Sequence, residues 1–281
     1  MTFGAFALEK EMEIVSAQEL RPPRPRLRRS IRPWLPALAL GAGALVWEAV
    51  ARWSGLPPFI LPAPSAVAAR YARALADGSL PRHALITLGE VLSGLTLGLL
   101  AATVLGYGLA KSHSLERALA PYIVASQSVP IVAIAPLLVI WFGPGRLSKV
   151  LICALIVFFP ILVNTVVGVR SVPRELYDLM RTLRASRRQI FLKLEAPAAM
   201  PVLLGGLKIG ATLSVIGAVV GEFVGADQGL GFLIKVGDGL FDTALVFVAV
   251  ITLIGMALLL YGAVALLERR LLAWRAPEEA R

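Results

Sequence analysis

The sequence of 281 residues carries 28 Lys and Arg against 18 Asp and Glu, which gives a formal net charge of +10. Hydrophobic residues make up 57% without counting the 25 glycines, and charged residues make up 16% where about 25% is usual, so too little polar surface remains for a soluble enzyme. A disulfide framework is excluded because the one cysteine, Cys153, has no partner within the chain. The composition therefore indicates an integral membrane protein.

The first segment, residues 1–33, is predicted to form a disordered basic cytoplasmic tail. Six arginines and three prolines lie within Arg21–Arg32, and a segment of this composition buries too little apolar surface to fold. No apolar run precedes the arginines, which argues against a secretory signal. The arginines either contact anionic lipid headgroups or serve only as a charge signal for topology, and the sequence leaves both open.

Six apolar segments are each long enough to cross the hydrocarbon core, which takes about 20 residues in a helix. They are Trp34–Trp53, Ala84–Ala110, Pro121–Phe142, Val150–Val169, Val202–Gly225 and Ala244–Leu267. None shows the strict alternation of polar and apolar residues that membrane β-strands have. We therefore expect an all-α membrane protein with six transmembrane helices.

Lys and Arg are concentrated on alternate connections between these segments. Twenty of the 28 lie in the N-terminal tail, the second and fourth loops and the C-terminal tail. Because cytoplasmic loops carry an excess of these residues, we expect the N and C termini and both loops to be cytoplasmic. The positive net charge is thus interpreted as a topology signal, and no nucleic-acid partner is expected.

The connection between the first two segments is predicted to hold an amphipathic helix on the outer surface. A proline-rich stretch ends at Ser65, whose hydroxyl is suited to accept a free N–H at a helix start, so Ser65 is the predicted N-cap. Val67, Tyr71 and Leu75 then recur at helical spacing.

The fourth loop, residues 170–200, is predicted to contain a short amphipathic helix. Pro173 followed by Arg174 and Glu175 is typical of a helix start, with an acidic residue in the first turn. The apolar face consists of Leu176, Leu179, Met180 and Leu183, and the polar face of Asp178, Arg181 and Arg184. Such a helix buries its apolar face against this chain's own helix ends, the lipid interface or a groove on a cytoplasmic partner, and the pattern leaves all three open.

This loop resembles the coupling segment of ABC-importer permeases, whose pattern is Glu-Ala-Ala, three residues, Gly, nine residues, Ile, one residue, Leu-Pro. Asp178 takes the place of the Glu, Arg184 of the Gly, Leu194 of the Ile, Ala196 of the Leu and Pro197 of the Pro. The pattern has Gly where the chain makes a tight turn, because Gly tolerates positive φ, and Arg184 departs from it.

Six further stretches, in the same order along the chain, resemble the nitrate/taurine/sulfonate branch of these permeases. They are Leu61–Ser65, Ser128–Ile131, Pro136–Gly143, Phe158–Asn164, Gly229–Ile234 and Leu267–Trp274. Together with the loop, the resemblance covers about residues 60 to 274.

The resemblance implies a type I ABC-importer permease fold and a transporter subunit in the bacterial inner membrane. Residues 34–274 would form the transmembrane permease domain, with its core at 84–267 and the cytoplasmic coupling loop at 170–200, and 275–281 would be a C-terminal tail. The implied partners are a second permease copy in a homodimer, a cytoplasmic ATP-binding subunit, an external substrate-binding protein and membrane lipid. The implied ATPase-coupling residues are Glu175, Leu176, Asp178, Leu179, Met180, Leu183, Arg184 and Pro197.

Catalysis by this chain is not expected. It has no G-x-x-x-x-G-K-[ST] phosphate loop, so ATP hydrolysis would belong to the partner. No cofactor and no metal are expected in this chain, since His83 and His113 lie at opposite ends of the predicted spans. Each histidine is expected to be exposed at the membrane interface.

The candidates for the substrate pathway are Gln127, Ser128, Asn164 and Glu222. Glu48, Glu90 and Glu222 fall inside apolar segments, where an ionised group is costly and often functional. Glu222 is favoured because it lies in a run of glycines at four-residue spacing, where helices approach closely. Local pairing of the glutamates and interhelical hydrogen bonds of the other three are the alternative interpretation.

The substrate is predicted from one stretch. Gly221–Gly231 resembles permeases that move riboflavin or the thiamine pyrimidine, so we expect a small heteroaromatic vitamin or precursor. A permease of the same type for nitrate, taurine or alkanesulfonate is the alternative. A proton-coupled secondary carrier that uses Glu90 and Glu222 is the second alternative.

Overall fold

The structure is a computed structural model that describes residues 34–275. The predicted basic tail (1–33) lies outside the described residues, and so does the predicted C-terminal tail (275–281) apart from residue 275. The chain divides into two units, residues 1–47 and 48–281, and the described part of the first unit is the start of helix α1.

The described residues form helices joined by turns, which agrees with the predicted all-α class. The helices are α1 (Leu35–Trp53), α2 (Pro64–Ala76), α3 (Ser79–Lys111), α4 (His113–Gln127), α5 (Ile131–Phe142), α6 (Arg146–Arg170), α7 (Arg174–Thr182), α8 (Arg187–Ile190), a π-helical turn (Phe191–Glu195), α9 (Ala196–Gly225), α10 (Leu230–Gly239), α11 (Thr243–Leu271) and a 3₁₀ turn (Ala273–Arg275).

Helix α6 lies at the centre of the second unit, between α3 and α9. Two rows of glycine allow this close packing. On α3, a Cβ at Gly98 would lie 2.8 Å from the Ala154 carbonyl oxygen, and on α9, a Cβ at Gly217 would lie 2.8 Å from the Cα of Cys153. The backbones of the three helices therefore approach more closely than larger residues would permit.

A shared apolar core fills the space between these helices. It is built from buried residues of α3, α6, α9 and α11: Leu95, Ala102, Leu109, Val157, Ile161, Leu162, Leu204, Leu207, Ala211 and Val264. In water, burial of each large apolar side chain stabilises a protein by about 1.5–3 kcal/mol. Within lipid this hydrophobic contribution is largely absent, and close van der Waals packing between helices stabilises their contact instead.

The register of the glycines gives the direction of each helix. Gly94 lies beside Cys153 and Gly106 beside Thr165, so α3 and α6 run parallel. Gly206 lies beside Asn164 and Gly217 beside Cys153, so α9 runs antiparallel to α6. The chain must therefore return between α3 and α6, and the α4–α5 pair makes this return. One end of the bundle carries α7 (the α7 end), and the opposite end carries α10 (the α10 end).

The predicted span Pro121–Phe142 is divided between two helices, α4 and α5, rather than formed by one continuous helix. Helices α4 and α5 are bent by 95° at a break between Gln127 and Ile131. Pro130 causes the break, because proline lacks an N–H and disfavours helical geometry in the residue before it.

Within residues 34–275, four helices are long and apolar enough to cross a membrane: α3, α6, the continuous helix Arg187–Gly225 that includes α8 and α9, and α11. The bent α4–α5 pair would be a fifth span. Helix α1, the first predicted span, has 19 residues but is not among these helices, and its last two turns carry Glu48 and Arg52. The chain is thus a multi-pass membrane protein, and the part of it that the structure describes contains four or five candidate spans.

A helix is present after the first segment as predicted, namely α2, but its predicted N-cap is wrong. Helix α2 begins at Pro64, and Ala63 is its N-cap. The Ser65 hydroxyl donates to Glu48 Oε1 at 2.8 Å, and the Ser65 backbone N–H donates to Glu48 Oε2 at 3.0 Å. Glu48 also accepts from Arg52, so it pairs locally.

Candidate functional site

The predicted loop helix is present as α7, and it ends in a well-formed turn. Arg184 has φ +54°, the left-handed conformation for which the family pattern has Gly. The Arg184 N–H donates to the Arg181 carbonyl and the Ala185 N–H to the Met180 carbonyl, each at 2.9 Å. These two bonds define a Schellman motif. The tight turn therefore forms with arginine in place of glycine, at some steric cost.

One face of α7 is apolar and uncovered by the described residues. Leu176, Leu179 and Leu183 are 41%, 54% and 67% exposed. Glu175 and Asp178 beside them are exposed as well. Of the three surfaces that the sequence left open, this chain's own helix ends do not bury these leucines.

The opposite side of α7 is held to the bundle by a small polar network. Glu195, in the π-helical turn, is buried and forms an ion pair with Lys111 at the end of α3. The Tyr107 hydroxyl donates to Glu195 Oε2 at 2.8 Å, and the Lys111 ammonium lies 5.1 Å from the centre of the Tyr177 ring. Burial and the nearby Glu195 carboxylate raise the pKa of the Tyr177 hydroxyl. The network fixes the inner side of α7 and leaves its leucines outward.

A second contact fastens the ends of the neighbouring helices. The Arg170 guanidinium at the end of α6 donates to both carboxylate oxygens of Glu116 in α4, at 2.6 and 2.7 Å. Bidentate pairs of this kind fix orientation as well as distance. His113 contacts the same carboxylate at 3.0 Å. Pro197, the last residue of the predicted coupling set, is half-buried in the first turn of α9, directly after the π-helical turn.

At the α10 end, a buried polar cluster surrounds Glu222, and we call it the Glu222 cluster. Its members are His83, Thr87, Glu90, Lys149 and Glu222. The Thr87 hydroxyl donates to Glu222 Oε1 at 2.6 Å and accepts the Leu230 N–H at 2.8 Å. The Gly231 N–H also donates to the Glu222 carboxylate. Glu222, which is fully buried, therefore fastens the start of α10 to α3.

Glu90 and Lys149 form the second half of the Glu222 cluster. The Lys149 ammonium lies 3.5 Å from Glu90 Oε1, and both side chains are buried. The attraction within a buried ion pair offsets the cost of desolvating its two charges only when each charged group also has further hydrogen-bond partners. Two carboxylates and one ammonium in one interior site carry a net negative charge unless a proton is bound.

The histidines differ from the prediction at one position. His83 was expected to be exposed, but its Nδ1 accepts the Gly229 N–H at 2.9 Å and its ring stacks on Phe232. The reason is tertiary: the loop before α10 folds back onto the start of α3. A Cβ at Gly229, where φ is +113°, would overlap the Glu222 carboxylate, so this approach requires glycine.

The four predicted substrate-pathway residues lie in three different places. Gln127 and Ser128 are exposed at the bend between α4 and α5. Asn164 is half-buried in α6, where its amide donates to the Pro160 carbonyl at 2.8 Å and packs against Gly206. Gly206 and Glu222 are 16 residues apart on α9, about 24 Å along its axis. The structure thus does not bring Glu222 together with Asn164.

The sequence-based predictions name Glu90 and Glu222, but not Thr87, Lys149, Tyr107 or Glu195 of these two regions. On α3, His83, Thr87 and Glu90 recur at intervals of four and three, a spacing that places them on one helix face. That spacing was a usable signal. No local signal identified Lys149, Tyr107 or Glu195, because their partners lie on other helices.

Comparison with known proteins identifies the family. Residues 94–273 match the family described as the binding-protein-dependent transport system inner membrane component. The riboflavin transport system permease protein of Chloroflexus aurantiacus is 50% identical over 256 residues, which cover 90% of this chain and 96% of that protein. The formylaminopyrimidine transport permease protein of Halalkalibacterium halodurans is 36% identical over 249 residues, which cover 89% and 99%.

The fold agrees with this assignment. A chain in a solved structure of the MetNI methionine ABC transporter superposes with a TM-score of 0.60 at 20% identity, over 68% of this chain and 95% of that one. The residues of α3 to α11 that build the bundle fall largely within the matched region. The chain therefore belongs to the binding-protein-dependent inner-membrane permeases of ABC importers, and it is a transport permease of the inner membrane.

Proposed function

We propose that this chain forms the translocation pathway of an ATP-driven importer for a small heteroaromatic vitamin or precursor. Riboflavin is the first candidate and the thiamine pyrimidine the second. The observation that carries the proposal is the exposed leucine face of α7, held outward by the Tyr177 contacts, in a chain half identical to a riboflavin permease. An amphipathic helix with an uncovered apolar face fits a groove on a partner protein.

The mechanism rests on α7 as the link to a separate ATPase subunit. Closure of two ATPase subunits would move α7 of each permease copy, and the network around Glu195 would transmit that motion to the π-helical turn and α9. Rigid-body alternation of the two permease copies would then open the pathway to either side. An external binding protein would deliver the substrate at the α10 end.

The assembly and topology belong to this proposal. Six membrane passes would result if α1 is the first and the α4–α5 pair the third, with both termini and the α7 end in the cytoplasm. A homodimer would supply both halves of the pathway. Gln127, Ser128 and Asn164 remain the proposed lining residues, and Glu222 remains one only if the loop before α10 opens, since it is enclosed by that loop.

The test is uptake by the full importer. The chain is reconstituted in proteoliposomes with its ATPase and its external binding protein, and ATP is supplied on the ATPase side. We expect uptake of labelled riboflavin that requires ATP and is reduced by unlabelled riboflavin or formylaminopyrimidine. No uptake of labelled riboflavin, together with ATP-dependent uptake of labelled taurine, alkanesulfonate or nitrate in the same proteoliposomes, would instead identify the alternative substrate class.

A secondary carrier remains the competing function because of one observation. Glu90 and Glu222 lie in one buried cluster with a single lysine, an arrangement suited to hold a proton. In the same proteoliposomes, a carrier would accumulate substrate from an imposed proton gradient without ATP. Loss of that uptake in Glu90→Gln, with ATP-driven uptake absent throughout, would establish the carrier and overturn the importer.

A further inference from the structure

Two adjoining cavities open at the α7 end of the bundle. The first, the apolar groove, has a volume of about 590 Å³ and is walled mainly by hydrophobic side chains of α3, the π-helical turn, α9 and α11. The large hydrophobic side chains in its wall include Val104, Phe191, Met200, Leu203, Leu204 and Leu271. Since Val104 is 73% exposed, the groove is accessible from the membrane side of the bundle.

The second cavity, the basic cup, is larger and differs in chemistry. It has a volume of about 1140 Å³ and lies between α7 and the ends of α3 and α6. Its cationic side chains are Lys111, Arg170, Arg174, Arg181 and Arg187. Asp178 and Glu195 are the carboxylates in its wall. The cup therefore carries an excess of positive charge.

The two cavities are continuous. Tyr107, Val169 and Glu195 line both of them. A single molecule with an anionic end and an apolar chain would therefore place its anionic end in the cup and its chain in the groove. The relative position of the two cavities indicates such a ligand, which neither cavity would indicate alone. The apolar groove lies beside the membrane-spanning part of the helices, and the basic cup lies at their ends.

Ion pairs leave part of the cationic charge of the cup available. Lys111 pairs with Glu195, Arg170 with Glu116 and Arg181 with Asp178. Among the described residues, Arg174 and Arg187 form no ion pair. Both are exposed and line the cup. Two guanidinium groups without a carboxylate partner are well suited to bind a phosphodiester.

We infer that the cup and groove bind one anionic phospholipid, with its phosphodiester at Arg174 and Arg187 and an acyl chain in the apolar groove. Basic pockets beside membrane helices bind anionic headgroups in this way. The inference does not depend on the proposed function, since it concerns a different face of α7. Leu176 and Leu183, which lie on the exposed leucine face, do not line the cup. Lipid and ATPase would thus occupy opposite sides of the same helix.

The test measures lipid binding to the purified full chain. After delipidation in a neutral detergent, dioleoylphosphatidylglycerol is titrated and bound lipid is counted by native mass spectrometry. We expect one tightly bound molecule. Dioleoylphosphatidylcholine, which has the same chains and no net charge, should bind at least about tenfold more weakly, and inorganic phosphate should not displace the bound lipid.

Substitutions address the two halves of the site separately. Arg174→Gln and Arg187→Gln should each weaken phosphatidylglycerol binding about fivefold, the contribution expected of one basic residue at a headgroup. Arg269→Gln and Arg270→Gln remove the same charge at the same end of the bundle, outside the cup, and should leave binding unchanged. Thermal unfolding without added lipid confirms that each variant is folded.

The acyl chain is tested by filling the groove. Val104→Trp should weaken phosphatidylglycerol binding at least about fivefold, whereas Leu85→Trp, on an exposed part of the same helix near the α10 end, should not. Equal binding of the two lipids would overturn the inference. So would displacement by inorganic phosphate together with normal binding to Val104→Trp, because that result would identify a free-anion site.

Discussion

At position 184 an arginine occupies a backbone conformation that only glycine adopts without steric cost. The Schellman bonds of Arg184 and Ala185 to Arg181 and Met180 show that the end of α7 imposes this conformation, whatever the side chain. A Cβ in the left-handed region costs about 1–2 kcal/mol. The hydrogen bonds at the end of α7 are therefore sufficient to form this turn, and a glycine at position 184 would only lower the steric energy of the left-handed conformation.

We predict that Arg184→Gly stabilises the C-terminal turn of α7 by about 1 kcal/mol, because the steric cost exceeds the entropy that glycine adds to the unfolded chain. Hydrogen exchange of the Arg184 and Ala185 amides should slow about fivefold. Arg181→Gly, one turn earlier in a helical position, should accelerate exchange. Faster exchange in Arg184→Gly would show that the arginine stabilises the turn through contacts of its side chain.

At the α10 end, Thr87 connects two elements through one hydroxyl, which donates to Glu222 and accepts from Leu230. We predict that Thr87→Val lowers the free energy of unfolding by about 1–3 kcal/mol, because a buried acceptor and a buried donor both lose their partner. Thr87→Ser retains the hydroxyl and should restore most of this loss. Thermal unfolding of the purified chain measures the change.

A position-matched control for Thr87 lies on the same helix. Thr96 donates only to the Leu92 carbonyl of its own helix and is exposed, so Thr96→Val should have little effect. If both valine variants unfold at the temperature of the wild type, the Glu222 cluster does not stabilise the contact between α3 and α10. A functional role for its glutamates would then gain support.

Helix α7 contacts the bundle on one side through Tyr177 and exposes a face of leucines on the other. We predict that replacing Leu176, Leu179 and Leu183 together with alanine abolishes capture of the ATPase subunit in a pull-down, while membrane insertion is unchanged. Each leucine buried at such an interface contributes about 1.5–3 kcal/mol, so losing three removes roughly 5–9 kcal/mol, which is comparable to the binding free energy of about 8 kcal/mol in a micromolar complex. The variant chain should still fractionate with membranes.

The control for α7 removes equivalent apolar surface elsewhere. Leu56, Leu85 and Leu240 are exposed and lie towards the α10 end, so their joint replacement by alanine should leave ATPase capture intact. Undiminished capture by the α7 variant would mean that the exposed leucine face has another occupant, of which the lipid interface is the first to consider.

The glycine rows of α3 and α9 determine how closely these helices contact α6. We predict that Gly98→Ala lowers the free energy of unfolding by about 1–3 kcal/mol, since the added Cβ would lie 2.8 Å from a backbone carbonyl of α6 that cannot move independently. Gly255→Ala in α11, where a Cβ would meet no atom within 4 Å, should be neutral or stabilising. Equal effects of the two would contradict the close packing.

For the whole molecule, parallel α3 and α6 with antiparallel α9 place the second loop, the fourth loop and the end of α11 at one end of the bundle. These are connections in which Lys and Arg are concentrated, so tertiary structure and charge distribution agree on which connections share a side. The charge rule then predicts that this shared side is the cytoplasm.

We predict the orientation with single cysteines in a Cys153→Ala background. In intact cells, Ala76→Cys at the C-terminal end of α2 should react with a membrane-impermeant thiol reagent, whereas Arg188→Cys in α8 should react only after permeabilisation. Both positions are exposed, so a difference in reactivity reports sidedness rather than burial. The reverse pattern would place α7 outside the cell and would contradict the proposed coupling to a cytoplasmic ATPase.

The sequence by itself determined those features that depend on local pattern. Apolar runs of about 20 residues predict membrane helices because the bilayer core has a fixed thickness, and the alternation of leucine and charge after Pro173 predicted α7, which begins at Arg174 as expected. The ordered motifs from residue 60 to 274 indicated the family. Each of these signals is contained in a short stretch of chain, so no knowledge of tertiary contacts was needed.

Only the tertiary structure decided which residues meet. Glu222 was predicted to line the substrate pathway, but the loop before α10 and Thr87 enclose its side chain. His83 was predicted to be exposed, but it accepts a hydrogen bond from Gly229 of the same loop. The partners of Lys149 and Glu195 lie about 60 and 85 residues away in sequence, on other helices. The continuity of the basic cup with the apolar groove likewise depends on α3, α6 and the π-helical turn meeting at one end, since each supplies a residue that lines both cavities. Contacts between distant segments arise from helix packing, and no local pattern encodes them.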